Sequence, residues 1–146
     1  MLALTGSAKK KILVVDDETD FALLGKVMPE FEIRVETRAD KALAVAKQFP
    51  PDLFLIDLVL PDLHGMALAR RIRRDRHLKK APIIFVSALV HFTEECDEPE
   101  LIEEFPAFGK PFCIEALKRC IQQQIQGDPS VTAGLRRVKI GTIAGW

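Results

Sequence analysis

Short, continuous apolar runs alternate along the chain with longer segments whose apolar residues recur every three or four positions. A continuous apolar run is typical of a strand buried on both faces, and the longer period is typical of a helix with one buried face. The runs predict strands over residues 12–15, 32–37, 53–58, 82–88 and 107–109. The periodic segments predict helices over residues 20–28, 39–48, 66–77 and 114–125.

Apolar strands that alternate with helices predict a parallel sheet covered by helices on both faces. The predicted fold class is therefore α/β, with five strands in a doubly wound sheet. The stretch 94–105 is acidic and contains Pro99, so any helix there is expected to be short or broken. No clear period follows Gly127, and we divide the chain into an N-terminal extension (1–9), one domain (10–126) and a tail or truncated linker (127–146).

The composition argues against several classes of protein. The 21 Lys and Arg residues equal the 21 Asp and Glu residues, so no overall charge attracts nucleic acid or an anionic membrane. No apolar run reaches the ~18 residues that span a bilayer. Cys96, Cys113 and Cys120 form no CxxC pair, which argues against a disulfide framework or a zinc site. We expect a cytoplasmic protein with no membrane insertion and no direct nucleic-acid binding.

Polar residues stand where the predicted strands end. Asp16 and Asp17 follow the first strand, Asp57 ends the third, Ser87 ends the fourth and Lys110 follows the fifth. Ligands of an open parallel sheet bind outside the carboxyl ends of its strands, so we expect these side chains to lie together. Three neighbouring carboxylates repel one another, and a hard cation such as Mg²⁺ relieves that repulsion. The sequence therefore predicts a Mg²⁺ site that is open to a phosphate.

The same residues predict phosphoryl chemistry. Asp57 lies in an otherwise apolar strand, where a rigidly held carboxylate can act as a nucleophile and form an acyl phosphate. Lys110 supplies a fixed positive charge, and Ser87 supplies a hydroxyl donor for phosphate oxygens. Positioning and charge neutralisation would account for the catalysis.

Four segments resemble the signature segments of the response-regulator receiver family, in its order and at its spacing. They are VVDDE at 14–18, LIDLVLPDLHG at 55–65, VSA at 86–88 and KPF at 110–112. The resemblance covers about residues 10–126 and implies a flavodoxin-like fold with strand order 2-1-3-4-5. It also implies a histidine kinase or histidine phosphotransfer protein as phosphoryl donor, and a downstream protein target or an output domain as receiver of the signal.

The resemblance further implies roles for single residues. The chain would be a phospho-acceptor that catalyses its own phosphorylation and dephosphorylation, rather than an enzyme with a separate substrate. The side chains implied in this chemistry are Asp57, the acceptor, with Ser87 and Lys110. The groups implied to hold Mg²⁺ are the carboxylates of Asp16, Asp17 and Asp57 and the backbone carbonyl of Val59.

The chain departs from the family pattern three residues before the lysine. The family usually carries an aromatic there that swings inward on activation, whereas this chain has Ala107. Phe105 and Phe108 flank that position, and we expect both to point to the opposite face of the sheet. The usual aromatic switch is therefore not expected in its usual form.

The sequence leaves other functions open. A pseudo-receiver would keep the fold as a protein-interaction domain without phosphorylation, and Ala107 favours it. A flavin-binding protein or a haloacid-dehalogenase-like phosphatase is disfavoured, because acids after the first strand repel phosphate and Asp16-Asp17 lacks the DxD spacing. Asp16, Asp17 and Glu18 could simply cap the first helix. The five arginines between residues 70 and 76 are interpreted as a solvated helix face.

Overall fold

The computed structural model describes residues 8–18, 23–88, 99–128 and 130–138. The strands in these ranges are β1 (Lys10–Val15), β2 (Phe31–Glu36), β3 (Leu53–Asp57), β4 (Ile83–Ser87), β5 (Glu100–Ile102), β6 (Phe105–Gly109) and β7 (Arg137–Val138). The helices are α1 (Leu24–Val27), α2 (Ala39–Gln48), α3 (Gly65–Arg74), α4 (Ile114–Gln126) and α5 (Ser130–Ala133). Strands and helices alternate up to β4, as the apolar pattern predicts.

The strands form a single sheet in the order β2-β1-β3-β4-β6-β5-β7. Every pair from β2 to β6 in this order is parallel. With β6 counted as the predicted fifth strand, these pairs confirm the α/β class and the order 2-1-3-4-5. The sheet is wider than the five strands predicted, because β5 and β7 extend it beyond β6.

The central strands are buried on both faces. Alternate residues of β3 divide between two cores, with Phe54 and Ile56 in one and Leu53 and Leu55 in the other. Helices α2 and α3 contribute to the first core, and α1 and α4 contribute to the second. Full burial of one such side chain contributes roughly 1.5–3 kcal/mol to stability, so the two cores fix the ends of these strands in space.

Two predicted helices differ in extent from those of the structure. Helix α3 ends at Arg74 rather than at residue 77, because Asp75 adopts an extended conformation and its carboxylate accepts the amide of His77 at 2.8 Å. That carboxylate offers the backbone an alternative to a further helical turn. The start of the first predicted helix, at residues 20–22, lies outside the described residues.

The segment between β4 and β6 differs most from expectation. Residues 89–98, which include the first part of the acidic stretch (94–98), lie outside the described residues. Residues 100–102 form β5, which pairs antiparallel with β6, and Glu103 turns the chain with a φ of 55°. A strand stands where the sequence suggested a short or broken helix, because Leu101 and Ile102 are buried beside β6.

The segment after Gly127 also adds to the sheet. Strand β7 pairs in parallel with β5, and the amide of Leu101 donates to the carbonyl of Arg136 at 2.8 Å. The guanidinium of Arg137 donates to the carbonyl of Glu103 at 3.0 Å. The proposed boundary at residue 127 stays a prediction, but the segment beyond it forms one margin of this sheet.

Two structural observations bear on the classes of protein that the composition argues against. Within the described ranges, no helix has the length and apolar character needed to cross a membrane. Cys113 and Cys120 are free thiols, and burial raises the pKa of Cys120 to about 12. Cys120 therefore stays protonated at neutral pH and acts as a core side chain, whereas Cys96 lies outside the described residues.

Candidate functional site

Four neighbouring strands bring the predicted site residues to one edge of the sheet. Asp16 follows β1, Asp57 ends β3, Ser87 ends β4 and Lys110 follows β6. These strands are consecutive in the sheet, and Ser87 pairs with Gly109, the residue before Lys110. The carboxyl ends of parallel strands thus place the acids, the hydroxyl and the lysine on the same side of the molecule.

The three aspartates form a compact group of oxygen donors. Asp16, Asp17 and Asp57 each offer a carboxylate oxygen, and these oxygens lie within 4.8 Å of one another. Asp16 and Asp57 are buried, whereas Asp17 is exposed, so the group is reachable from solvent. Oxygen donors without nitrogen or sulfur suit a hard divalent cation that keeps several of its waters. The donor set therefore fits Mg²⁺.

Lys110 links two of these carboxylates directly. Its Nζ donates to Oδ2 of Asp16 at 2.8 Å and to Oδ2 of Asp57 at 2.9 Å, and its side chain is only 13% exposed. Burial opposes the charge of Lys110, but the hydrogen bonds to Asp16 and Asp57 outweigh it and raise its pKa above 10.5. Lys110 is therefore a fixed cation beside Asp57.

Burial works against the negative charge of Asp16. Burial raises the pKa of Asp16 above its usual 3.8, the hydrogen bond from Lys110 lowers it in part, and the charge of Asp57 raises it further. The amide of Glu18 also donates to Oδ1 of Asp16 at 2.8 Å and lowers the pKa. Any additional cation at these carboxylates would relieve the remaining cost of burial and repulsion.

The loop after Asp57 closes tightly around the end of β3. The amide of Val59 donates to Oδ1 of Asp57 at 3.0 Å, Val59 pairs with His64, and the amide of Gly65 donates to the carbonyl of Leu58 at 2.8 Å. A Cβ on Gly65 would overlap the backbone oxygen of Asp57 and would lie 2.8 Å from the Cα of Leu58. Gly65 is thus required by the close approach of two backbones. The role of the Val59 carbonyl as a metal ligand stays a prediction.

Ser87 lies within the same edge of the sheet. It is 1% exposed at the end of β4, and its carbonyl accepts the amide of Lys110 at 3.1 Å. Its position, one residue beyond the Val86 that pairs with Asp57, puts it at the same end of the sheet as the carboxylates. The role of its hydroxyl toward a phosphate stays a prediction.

The aromatic residues near Ala107 correct one expectation. Phe105 lies two residues from Ala107, so the period of a strand puts both side chains on one face, and both belong to the same core. Phe108 belongs to the opposite core, as expected. The ring of Phe105 is buried 5.3 Å from that of Phe85, with the guanidinium of Arg73 at 5.3 Å from its centre. An aromatic side chain, that of Phe105, therefore packs on this face of β6, two residues before the position where the family usually carries one.

Arg73 also corrects part of the arginine interpretation. Its side chain is half-buried and donates to the carbonyls of Lys79 and Ala81 at 3.1 and 2.7 Å. Burial lowers its pKa below 12.5, with the charge of Glu104 as the opposing effect. The remaining arginines of this segment are exposed, in line with a solvated face: Arg70, Arg71, Arg74 and Arg76.

A cleft of about 510 Å³ opens beside Lys110. Its wall is mostly apolar, and its polar rim is formed by Glu18 and Lys110. Two large side chains on its wall are unusually exposed, Leu23 at 56% and Val27 at 47%. The other lining residues are Leu24, Ala88, Pro111, Phe112 and Ile114. Apolar surface of this kind next to a charged centre is typical of an interaction site.

Glu18 is a site residue to which the sequence assigned no role of its own. Its carboxylate lies 3.5 Å from Nζ of Lys110, and its backbone amide supports Asp16. The sequence feature that could have indicated a role for Glu18 is its position directly after Asp16 and Asp17, at the end of a predicted strand. Residues 19–22 lie outside the described residues, so the alternative role of these acids as a helix cap stays open.

Comparison with known proteins agrees with this geometry. The family model described as the response regulator receiver domain matches residues 12–102. A phosphate regulon transcriptional regulatory protein of Rhizobium meliloti is 35% identical over 75% of this chain and 58% of that protein. A protein-glutamate methylesterase/protein-glutamine glutaminase of Agrobacterium fabrum is 34% identical over 72% of this chain and 31% of that protein. The chain spans about a third of the length of the first curated relatives it matches.

Solved structures show the same architecture. A CheY-like response regulator receiver domain from Methylobacillus flagellatus superposes with a TM-score of 0.62 at 27% identity, covering 81% of this chain and 99% of that one. A sensor protein from Polaromonas sp. JS666 superposes with a TM-score of 0.66 at 25% identity, covering 82% and 98%. Family model, relatives and fold agree, and the chain belongs to the response regulator receiver domain family.

Proposed function

We propose that this receiver domain accepts a phosphoryl group on Asp57 in a Mg²⁺-dependent reaction and signals by a change of conformation. The observation that carries the proposal is the position of Nζ of Lys110, which lies within 3 Å of carboxylate oxygens of both Asp57 and Asp16. A rigid carboxylate beside a fixed cation and a set of oxygen donors is suited to phosphoryl transfer, which depends on positioning and charge neutralisation.

The proposed donor is a phosphohistidine of a histidine kinase or of a histidine phosphotransfer protein. The P–N bond breaks while a P–O bond forms to the carboxylate of Asp57, and the released imidazole nitrogen keeps the electron pair and takes up a proton. The ammonium of Lys110 and the hydroxyl of Ser87 would face the phosphoryl oxygens. When bound by Asp16, Asp17, Asp57 and the carbonyl of Val59, Mg²⁺ supplies further positive charge to those oxygens.

The same site would also remove the phosphoryl group. Attack of a water molecule on phosphorus breaks the bond to Asp57 and returns the free carboxylate and inorganic phosphate. The domain is therefore proposed to catalyse its own phosphorylation and dephosphorylation, and it turns over no separate substrate.

The cleft beside Lys110 supports a protein as the phosphoryl donor. The exposed side chains of Leu23 and Val27 give a partner apolar surface to bury within reach of the acceptor site. The chain spans about a third of the length of its first relatives, and one of these is named as a transcriptional regulator. The proposed receiver of the signal is therefore an output domain or a separate downstream protein.

Mass spectrometry after treatment with acetyl phosphate and Mg²⁺ tests the proposed function. We expect one phosphoryl group on the wild type, mapped to Asp57, and none on Asp57→Asn. Asp52→Asn is the matched control, because Asp52 lies just before β3 at the opposite end of that strand and binds the amide of Lys11. It should be labelled like the wild type. Absence of label on the wild type would refute the proposal and favour the pseudo-receiver alternative, to which Ala107 already points.

Millimolar Mg²⁺ is expected to raise the melting temperature of the wild type but not that of Asp17→Ala. Binding to the folded state adds about 1.4 kcal/mol when free Mg²⁺ is about ten times its dissociation constant. Asp17 is exposed, so its loss should change metal-free stability by less than about 0.5 kcal/mol. Glu32→Ala, which removes an exposed acid on β2, should keep the full response. A wild-type melting temperature that does not change with Mg²⁺ would count against the metal site.

A further inference from the structure

The loop at residues 58–64, between β3 and α3, is fastened at its base and next to Asp57. The pairing of Val59 with His64 and the hydrogen bond from Gly65 to Leu58 close its base. The amide of Val59, inside that base, donates to Oδ1 of Asp57. The orientation of the Asp57 carboxylate therefore depends on the position of this loop.

The far side of the loop is fastened by Asp62. Its Oδ1 accepts the amide of Ala39 at 3.2 Å, and its Oδ2 accepts the amide of Asp40 at 2.9 Å. These amides begin helix α2, and first-turn amides have no partner within their own helix. The residue before α2, Arg38, makes no side-chain cap, so the capping carboxylate comes from a residue more than 20 positions later in the chain.

Helix α2 is a firm anchor for this contact. It lies against the sheet through the buried side chains of Ala39, Ala42 and Ala46. Two hydrogen bonds to one carboxylate restrict its rotation as well as its distance, which a single bond would not do. Asp62 therefore ties the middle of the loop to an element that packs on the core.

We infer that Asp62 is a positioning residue for the acceptor site: it holds the loop so that the amide of Val59 keeps the Asp57 carboxylate in one orientation. The inference rests on the proposed function, because orientation matters where Asp57 is both nucleophile and metal ligand. Groups that orient such ligands contribute to metal affinity without touching the metal. A cap with no such role would stabilise α2 and affect nothing at Val59.

Amide hydrogen exchange in metal-free buffer separates these two roles. In Asp62→Ala we expect the amides of Val59 and Gly65 to exchange about ten-fold faster, because the loop opens locally more often. Asp62→Asn keeps one acceptor oxygen and should show a smaller increase. Arg38→Ala is the control, since it removes the ion pair with Asp40 in the same turn, whereas both bonds to Asp62 come from backbone amides and stay in place. Faster exchange confined to Ala39 and Asp40 in Asp62→Ala would overturn the inference.

Titration with MgCl₂, followed by NMR, supplies a second readout. Asp62→Ala should bind Mg²⁺ about ten-fold more weakly than the wild type, as expected for loss of a residue that orients metal ligands. Arg38→Ala should bind as the wild type does. Equal affinities of wild type and Asp62→Ala would overturn the role of Asp62 and leave the proposed function standing. A wild type that binds no Mg²⁺ would instead overturn the proposed function, and the exchange result would still decide whether Asp62 holds the loop.

Discussion

Replacement of Lys110 by alanine is expected to lower the free energy of unfolding by about 3 kcal/mol at neutral pH. The reason is that Lys110 neutralises two buried carboxylates at once, with side chains that are 0% exposed for Asp16 and 6% for Asp57. Without the lysine both negative charges stay buried, close together and without their principal counter-charge. Urea denaturation in buffer containing a metal chelator measures the effect.

The cost of Lys110→Ala should depend on pH in a defined direction. The pKa of Asp16 is already raised by burial, and loss of the hydrogen bond from Lys110 raises it further. A carboxyl group with a raised pKa in the folded state loses stability as pH rises through that pKa. The difference from wild type should therefore be small near about pH 4, where Asp16 can protonate, and should grow toward about pH 7.

Lys118→Ala is the matched control for this experiment. Lys118 pairs with Glu30 at 2.9 Å on the surface, with side chains 24% and 40% exposed. Loss of such a pair costs at most about 1 kcal/mol. If Lys110→Ala costs no more than Lys118→Ala, or if its cost is the same at both pH values, the account of a buried counter-charge is wrong.

Gly65→Ala is expected to destabilise the fold by about 3 kcal/mol and to weaken binding of Mg²⁺ as well. The added methyl group would meet backbone atoms of Asp57 and Leu58, which cannot rotate away as a side chain could. Relief of the overlap requires that α3 moves from the end of β3, which displaces the carboxylate of Asp57. Thermal melts with and without Mg²⁺ measure both effects.

Gly25→Ala provides the comparison for Gly65→Ala. Gly25 lies within α1, and no atom lies within 4 Å of a Cβ at that position. The exchange should raise stability slightly, since alanine favours a helix over glycine by about 1 kcal/mol. Equal behaviour of the two variants would show that the crowding at Gly65 relaxes at no cost.

The parallel character of the sheet and the place of the site could be predicted because both depend on local pattern, whereas the strand order was implied only by the resemblance to the receiver family. Continuous apolar runs such as residues 12–15 are compatible with a sheet covered on both faces, and the carboxyl ends of parallel strands necessarily share one edge. The residues that end those strands then lie together whatever the details of packing. Asp16, Asp57 and Lys110 were found in this way.

Features set by distant pairing could not be predicted in the same manner. Strands β5 and β7 are three and two residues long, too short for a periodic signal, and they form because Leu101 and Arg137 meet across the sheet. The bonds from Asp62 to α2 likewise join segments that nothing in the local sequence connects. The expectation for Phe105 failed for a simpler reason, since a residue two positions from Ala107 shares its face.

The pairing of β7 with β5 has a consequence for the solubility of the domain. The amide of Leu101 in β5 donates a hydrogen bond to the carbonyl of Arg136. Without this bond the amide would lie unpaired at the edge of the sheet. A protein cut after residue 126, at the boundary that periodicity suggests, would leave β5 as an open margin, with the amide of Leu101 no longer hydrogen-bonded to Arg136. Unpaired strand margins with apolar side chains are templates for intermolecular β-pairing and aggregation. Strand β7 thus protects the edge of β5 from such intermolecular pairing.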